Sequence, residues 1–90
     1  MSKPVSEPQK TDNIDSVSER FLILHNDDVH SFDYVIDALI EVCEHDPDQA
    51  EQCALITHHK GKCDVKKGMQ SDLRPKRTEL ARRGLIATID

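Results

Sequence analysis

The sequence predicts an α+β domain with the element order β-α-α-β-α-β, in which a three-stranded antiparallel sheet packs against three helices. Three features of the 90-residue chain predict it: apolar runs at residues 21–24 and 85–89, two clearly patterned helices after the first run, and turn residues between the segments. A chain of this length forms one small domain with little core to spare. Because aromatic residues are only 3% of the chain, the core must be mainly aliphatic.

The first strand and the first helix are predicted from apolar spacing. Residues 21–24 are consecutive apolar residues, which is typical of a short buried strand. An amphipathic helix is predicted by one apolar stripe, formed by Phe32, Val35, Ile36, Leu39, Ile40 and Cys43. Ser31 suits the N-cap of this helix, and Asp33 suits its first turn because a negative charge is stabilised there.

The second helix carries a start signal and a stop signal. Asp46 suits the N-cap, Pro47 the first helical position, and Gln49 the third position after the cap. Gly61 is expected just past the last turn, where a left-handed residue often ends a helix. The face predicted to approach the first helix consists of small residues, namely Ala50, Cys53, Ala54 and Thr57. His58 then falls on the last turn, beside that face.

The rest of the chain is predicted to supply two strands and a third helix. Residues 62–67 alternate weakly, and residues 85–89 form the closing strand. A helix is expected over about residues 72–83, with Pro75 tolerated because it lies in the first turn and with Gly84 ending the helix. The residues expected to face inward are Cys63, Val65, Leu73, Leu80 and Ala81.

The chain is predicted to divide into a flexible arm, residues 1–19, and one domain, residues 20–90. The arm holds two of the four prolines, and its apolar residues are only Met1, Val5, Ile14 and Val17. Such a segment buries too little surface to offset the entropy lost on ordering.

Charge and cysteine content exclude several classes of protein. A net charge of −5 argues against a general nucleic-acid binder, and no apolar run approaches the roughly 20 residues that span a bilayer. The N-terminus lacks the apolar segment of a secretory signal. The three cysteines form no C-x-x-C pair, and Cys43 and Cys53 are expected to be small buried hydrophobes. We therefore expect a cytoplasmic protein that binds neither membrane nor nucleic acid and needs no cofactor. The sequence does not reveal its oligomeric state, and a monomer is the default expectation.

The charges are sharply partitioned along the chain. Residues 21–59 hold nine acidic residues and no Lys or Arg, whereas residues 60–90 hold nine basic and four acidic residues. Two interpretations stay open: acidic helices that pack beside a basic third helix, or an acidic recognition surface together with a basic docking surface.

A candidate binding site lies where the first strand turns into the first helix. Asn26, Asp27 and Asp28 form one polar turn there, and His58 can approach them if the two helices make a hairpin. An ammonium group has three donors and no acceptor, so an amide oxygen, carboxylates and a neutral imidazole suit it well. The free amino end of another polypeptide is such a group. The alternative is an ordinary turn and an ordinary helix-end histidine, because Asn-Asp-Asp triplets are common in turns.

Three segments of this chain resemble the ClpS family of protease adaptors. They are Leu-Ile-Leu-His-Asn-Asp-Asp at residues 22–28, Phe-Asp-Tyr-Val-Ile at 32–36 and Thr-His-His-Lys-Gly-Lys at 57–62. In that family an apolar strand leads into an Asn-Asp-Asp turn, and a His-x-x-Gly-Lys motif follows later. The resemblance is dense over residues 21–62. It is looser from residue 63 onward, where it depends on element order and on Arg-Gly-Leu at 83–85.

The resemblance implies an adaptor rather than an enzyme. Family members bind proteins that begin with Phe, Leu, Trp or Tyr (N-degron substrates) and deliver them to a bacterial Clp AAA+ ATPase and its protease. By resemblance, the α-amino group would be held by Asn26, Asp27, Asp28 and His58. The pocket for the first side chain would be lined by His30, Phe32, Thr57 and Leu85. The arm, residues 1–19, would engage the ATPase, whose N-terminal domain is expected to be ClpA-like or ClpC-like.

The chain departs from the family pattern at three places. His30-Ser31 replaces the usual Thr-Pro before the first helix. Phe32 stands where many members have Met, and its rigid ring is expected to narrow the pocket and disfavour Trp or Tyr. An acidic residue that members docking ClpA-type ATPases often have near Ser71 is missing here, which leaves the identity of the ATPase open.

Three other functions are compatible with parts of the pattern. A small zinc site could use His25, Asp27, Asp28, His30, His58 and His59, although their spacing is poor. A hydrolase could use Asp27, Asp28 and His58 for acid–base chemistry, but no nucleophile is placed nearby in the sequence. A plain interaction module could use the acidic helices without recognising an amino end.

Overall fold

The structure, a computed structural model, describes residues 18–90 and has the predicted order β-α-α-β-α-β. Its elements are β1 (Arg20–His25), α1 (Phe32–Cys43), α2 (Pro47–Lys60), β2 (Lys62–Gly68), α3 (Gln70–Arg82) and β3 (Ile86–Ile89). One three-stranded antiparallel sheet and three helices confirm the predicted α+β class. Except for Ser18 and Glu19, the predicted arm lies outside the described residues.

The sheet brings three chain segments together at the end of β1. β1 is the central strand, with β2 and β3 antiparallel on either side of it. His25, its last residue, is paired with Lys62 at the start of β2 and with Ile86 at the start of β3. The end of α2 and the turn between α3 and β3 therefore both lie next to the loop of residues 26–31 that joins β1 to α1. That junction is where the candidate site is found.

The core lies between the sheet and the helices. Its large, fully buried members are Leu22, Leu24, Leu39, Leu73, Leu80 and Cys43. Burial of one such aliphatic side chain contributes about 1.5–3 kcal/mol. Apart from Cys43 these are all leucines, so the prediction of an aliphatic core is confirmed.

Both predicted helix starts and the predicted stop of α2 are confirmed. The Ser31 side chain accepts a hydrogen bond of 3.1 Å from the backbone N–H of Tyr34, and Asp46 accepts one of 2.8 Å from that of Gln49. Gly61 ends α2 with a left-handed backbone, φ 93°. These caps satisfy N–H groups that have no partner within their own helix, and they fix where each helix starts.

The third helix differs from its prediction in three respects. It begins at Gln70, so Pro75 is its sixth residue and lies in the second turn rather than the first. Pro75 removes the N–H donor for the carbonyl of Ser71, and because Ser71 is exposed that carbonyl can be solvated. Ala81 is exposed, which contradicts its predicted inward position, whereas Leu73 and Leu80 are buried. A helix with two inward leucines leaves Ala81 on its outer face.

The strands β2 and β3 lie close to their predicted bounds. β3 starts at Ile86, one residue later than predicted, and Leu85 is buried just ahead of it. Val65 of β2 is buried and Cys63 is partly buried, so both face inward as expected.

Part of the charge partition has a packing explanation. Lys66 of β2 and Lys76 of α3 donate hydrogen bonds of 3.1 Å and 3.4 Å to the last carbonyls of α1, those of Cys43 and Val42. Arg83 pairs with Glu41 of α1 at 2.6 Å. Basic groups of the C-terminal third therefore cap and neutralise the acidic first helix, since cations are favoured at a helix C-terminus.

The cysteines behave as packing residues. Cys43 and Cys53 are buried and free, as predicted. Burial raises the pKa of the Cys43 thiol to about 11. Burial and a hydrogen bond to Cys53 raise that of Cys63 to about 12. High pKa values of this kind mark unreactive thiols.

No helix within residues 18–90 is long and apolar enough to cross a bilayer.

Candidate functional site: a cavity at the end of β1

A cavity of about 500 Å³ opens where the 26–31 loop, α1, α2 and the α3–β3 turn meet. All eight residues that the sequence analysis selected line it: Asn26, Asp27, Asp28, His30, Phe32, Thr57, His58 and Leu85. They come from three separate stretches of the chain. The fold thus brings together the residues proposed for the amino group and those proposed for the side-chain pocket.

A backbone contact explains why His58 reaches the loop. The N–H of Asn26 donates a hydrogen bond of 2.8 Å to the carbonyl of Gly61, just past the end of α2. His58 lies three residues before that glycine, on the last helical turn. The imidazole and the Asn26–Asp28 turn are therefore on the same side of the molecule and border one cavity.

Asp27 organises the loop from within. Its Oδ1 atom accepts hydrogen bonds from the backbone N–H groups of Val29 and His30, at 2.8 Å and 2.9 Å. Its two carboxylate oxygens are each 3.2 Å from Nδ1 of His30. Burial alone would raise the pKa of Asp27, but the hydrogen bonds from His30 and Val29 outweigh it and hold that pKa below its usual value. Asp27 is therefore ionised and is engaged mainly with its own loop.

His30 is fixed from two further directions. Its ring stacks on that of Tyr34, with a centroid separation of 4.7 Å and an interplanar angle of 19°. On another side it lies against Gly84, where an added Cβ would be only 3.0 Å from Nε2. Tyr34 in turn donates a hydrogen bond of 2.7 Å to the carbonyl of Arg83. The loop, α1 and the α3–β3 turn are joined through these rings.

The α3–β3 turn places Leu85 in the cavity wall. The guanidinium group of Arg83 contacts Glu41 of α1 at 2.6 Å and Glu79 at 2.9 Å, which ties the end of α3 to α1. The N–H of Leu85 donates to the carbonyl of Leu80 at 3.0 Å, and the Leu85 side chain is 4% exposed. Leu85 is thus held by both backbone and packing.

The lining of the cavity contains two chemically different groups of residues. The first group, called the polar end, consists of the exposed polar side chains of Asn26, Asp28 and His58. The second group, called the apolar end, consists of Leu24, Phe32, Val35, Ala54, Leu55 and Leu85. The hydroxyl of Thr57 already donates to the carbonyl of Cys53 at 2.7 Å, so it adds no free donor to this end. Such a cavity suits a ligand with a cationic group next to an apolar side chain.

Five lining residues were not among those selected for the peptide site: Leu24, His25, Val35, Ala54 and Leu55. Leu24 and His25 directly precede the polar turn, and Ala54 lies one helical turn before His58, so adjacency and helical spacing could have found them. Leu55 also lines the cavity, although it is not part of the small-residue face of α2, so the apolar pattern did not indicate it. His25 is engaged with Thr88 at 2.7 Å across the sheet.

Within residues 18–90, no three His, Cys, Asp or Glu side chains are arranged as metal ligands. The six residues considered for zinc therefore do not form a ready coordination site in the described part of the chain. His30 is paired with Asp27 and His25 with Thr88, and His58 and His59 meet edge to face at 5.2 Å.

The fold and the cavity define a class: a small α+β domain with a largely apolar cavity whose lining also includes exposed hydrogen-bond acceptors. The sequence profile described as "ATP-dependent Clp protease adaptor protein ClpS" matches residues 17–88. This chain belongs to the ClpS family, as the sequence motifs predicted.

Individual relatives agree with this family. The ATP-dependent Clp protease adapter protein ClpS of Nitratidesulfovibrio vulgaris is 42% identical over 40 residues, which is 44% of this chain and 40% of that protein. The chain thus matches about two fifths of that relative's length. The solved structure of Agrobacterium tumefaciens ClpS2 bound to L-phenylalaninamide superposes with a TM-score of 0.76 at 20% identity, covering 80% of this chain and 94% of that one. At that identity the likeness establishes the shared fold.

Proposed function

We propose that this protein is an adaptor that binds the free α-amino group and the bulky apolar first residue of substrate proteins and delivers them to a Clp AAA+ ATPase and its protease. One observation carries the proposal: a single cavity is lined by all eight residues that the ClpS motifs select. The roles of these residues stay predictions.

The polar end of the cavity is proposed to bind the α-amino group. Asn26 offers an amide oxygen, Asp28 a carboxylate and His58 a neutral imidazole nitrogen, so an ammonium group can donate in three directions. Hydrogen bonds in which one partner is charged, here the ammonium group, contribute about 1.5–3 kcal/mol each. Asp27 adds a further negative charge, although its oxygens are already engaged within the loop.

The apolar end is proposed to take the first side chain of the substrate. Burial of a Phe or Leu side chain there contributes about 1.5–3 kcal/mol. A charged first residue would be buried without a partner and is disfavoured. Phe32 lines the cavity and is 38% exposed at the start of α1. Its rigid ring is proposed to narrow the side-chain pocket, so we expect Phe and Leu to bind better than Trp and Tyr. L-phenylalaninamide, the ligand of the structurally similar A. tumefaciens ClpS2, has both a free α-amino group and an aromatic side chain.

The binding contributions predict moderate affinity. Two or three hydrogen bonds to the amino group and one buried side chain act against a large cost in lost freedom of motion. A Kd near micromolar, about −8.2 kcal/mol, is the expected result. Affinity in this range allows the adaptor to release its cargo.

We further propose the partners that this function requires. They are N-degron substrate proteins and the N-terminal domain of a ClpA-like or ClpC-like ATPase in the bacterial cytoplasm. The adaptor would act as a monomer through the domain of residues 20–90, with residues 1–19 as the segment that engages the ATPase.

The test compares two peptides that differ only at the amino end. A fluorescent peptide beginning with Phe is titrated with the full chain and followed by anisotropy, once with a free and once with an acetylated amino terminus. We expect the free form to bind at least about tenfold more tightly, which is a difference of about 1.4 kcal/mol. Equal affinities would instead favour an acidic interaction module that does not recognise the amino end.

The choice of first residue is tested separately. A peptide array that varies only residue one should rank Phe and Leu first, with β-branched and charged residues last. If Trp and Tyr bind as well as Phe, Phe32 does not narrow the cavity.

A further inference from the structure

The loop that would hold the amino group is fixed in place by contacts of one of its own side chains, that of His30. His30 contacts residues from three different parts of the structure. It touches Asp27 within the loop, Tyr34 of α1, and Gly84 in the α3–β3 turn. A side chain fixed on three sides can impose a position on the group that it contacts.

We propose that His30 is the positioning residue of this site: it holds the Asp27 carboxylate against the loop backbone and so keeps Asn26 and Asp28 directed at the cavity. The inference rests on the proposed binding of an amino end and deepens it. In this role His30 acts through Asp27, in addition to lining the cavity.

The hydrogen bonds of Asp27 support this role. A carboxylate has about four acceptor sites, and three donors reach this one: the N–H groups of Val29 and His30 and the His30 ring. With those sites filled, Asp27 contributes negative charge without having to turn toward a ligand. Its neighbours in the sequence are then free to supply the acceptors.

The position of the ring is set by elements outside the loop. Tyr34 stacks on it and is anchored by its own hydroxyl, which donates to the carbonyl of Arg83 at 2.7 Å. Gly84 has φ 86° and no Cβ, which leaves the space that the ring occupies. His30 therefore fixes the loop relative to α1 and to the α3–β3 turn.

Two substitutions separate the donor of His30 from its ring. His30→Phe keeps a ring that can stack on Tyr34 but cannot donate to Asp27. His30→Asn keeps an N–H at the position of Nδ1 but has no ring. If His30 acts through Asp27, His30→Phe weakens binding of the free Phe-initiated peptide about tenfold, which is about 1.4 kcal/mol, and His30→Asn stays within about threefold of the wild type.

A double variant shows whether the effect passes through Asp27. The combination of Asp27→Asn with His30→Phe should bind no more weakly than Asp27→Asn alone, because both changes break the same contact. Asp33→Asn is the control, since Asp33 is also acidic but is exposed and does not line the cavity. Carboxyl NMR gives a readout that does not depend on a ligand: the pKa of Asp27 should rise in His30→Phe.

The outcomes separate this inference from the proposed function. If the wild type prefers the free peptide but His30→Phe binds as well as the wild type, or His30→Asn binds more weakly than His30→Phe, the positioning role is wrong and the function stands. Additive losses in the double variant lead to the same conclusion. If the wild type binds free and acetylated peptides alike, the proposed function is wrong and this inference falls with it.

Discussion

The two ends of the cavity are built in different ways. The polar end consists of exposed side chains, those of Asn26, Asp28 and His58, on a loop and on a last helical turn. The apolar end shares its residues with the core, because Leu24 and Leu85 are almost fully buried. Substitutions at the polar end can therefore change binding without changing the fold. Side chains at the apolar end contribute to both binding and stability. The comparison predicts which substitutions separate binding from stability.

The largest expected effect is at the apolar end. Leu85→Ala should lower the free energy of unfolding by about 2–5 kcal/mol, because it removes a buried side chain and leaves a void. It should also weaken binding of a Phe-initiated peptide. Urea denaturation followed by circular dichroism measures the loss. Ile86→Ala is the matched control, since the adjacent isoleucine is 52% exposed and its loss should change stability by less than about 0.5 kcal/mol. Equal effects of the two would show that the cavity wall is not part of the core.

The next effect is at the polar end and concerns binding alone. Asp28→Ala removes one charged acceptor and should weaken binding of the free peptide by about 1.5–3 kcal/mol, about 10-fold to 150-fold. Stability should change by less than about 0.5 kcal/mol because the side chain is exposed. Anisotropy and urea denaturation on the same preparation measure both quantities. Asp33→Ala serves as the control, and unaltered binding by Asp28→Ala would remove Asp28 from the site.

A third substitution tests the link between the two ends. Gly84→Ala should destabilise the domain by about 1–3 kcal/mol, since φ 86° is strained for a residue with a Cβ. The new Cβ would also lie 3.0 Å from Nε2 of His30 and displace that ring. Gly61→Ala, at φ 93° with nothing within 4 Å, is the control for backbone strain without a clash. A larger loss of peptide affinity in Gly84→Ala than in Gly61→Ala would indicate that the ring contact matters for binding.

The sequence predicted the elements of this fold well because its signals were local. The caps at Ser31 and Asp46 and the stop at Gly61 each depend on residues a few positions apart. Pro75 was predicted to lie in the first turn because no sequence signal marks the start of α3. The N-cap residue, Met69, makes no side-chain cap hydrogen bond, and the helix begins at Gln70. The prediction that Ala81 faces inward was also wrong. Leu73, Leu80 and Ala81 were all predicted to face the core, but only the two leucines are buried.

The site was predictable as a set of residues but not as an arrangement. The motifs selected side chains from three stretches, and the sheet register places all three at the end of β1. The contacts of His30 with Tyr34 and Gly84 could not be predicted, because they depend on ring stacking and on a missing Cβ in a distant part of the sequence.

His45, outside the site, was also missed: it is 4% exposed, and its Nε2 lies 2.5 Å from the carbonyl of Val65. A lone histidine between two helices carries no local signal of burial.

The smallest expected effect concerns how the loop responds to acid. The hydrogen bonds from His30 and Val29 hold the pKa of Asp27 below its ordinary value of 3.8 in the folded protein. A carboxyl group with a lowered folded-state pKa stabilises the fold fully above its unfolded-state value, and this stabilisation is lost as the pH falls through the lower value. The wild type should therefore lose stability below about pH 4 more steeply than Asp27→Asn, which has no carboxylate to protonate. Urea denaturation at several pH values between 5 and 2 measures the difference. Identical pH profiles would mean that the Asp27 carboxylate does not hold the loop.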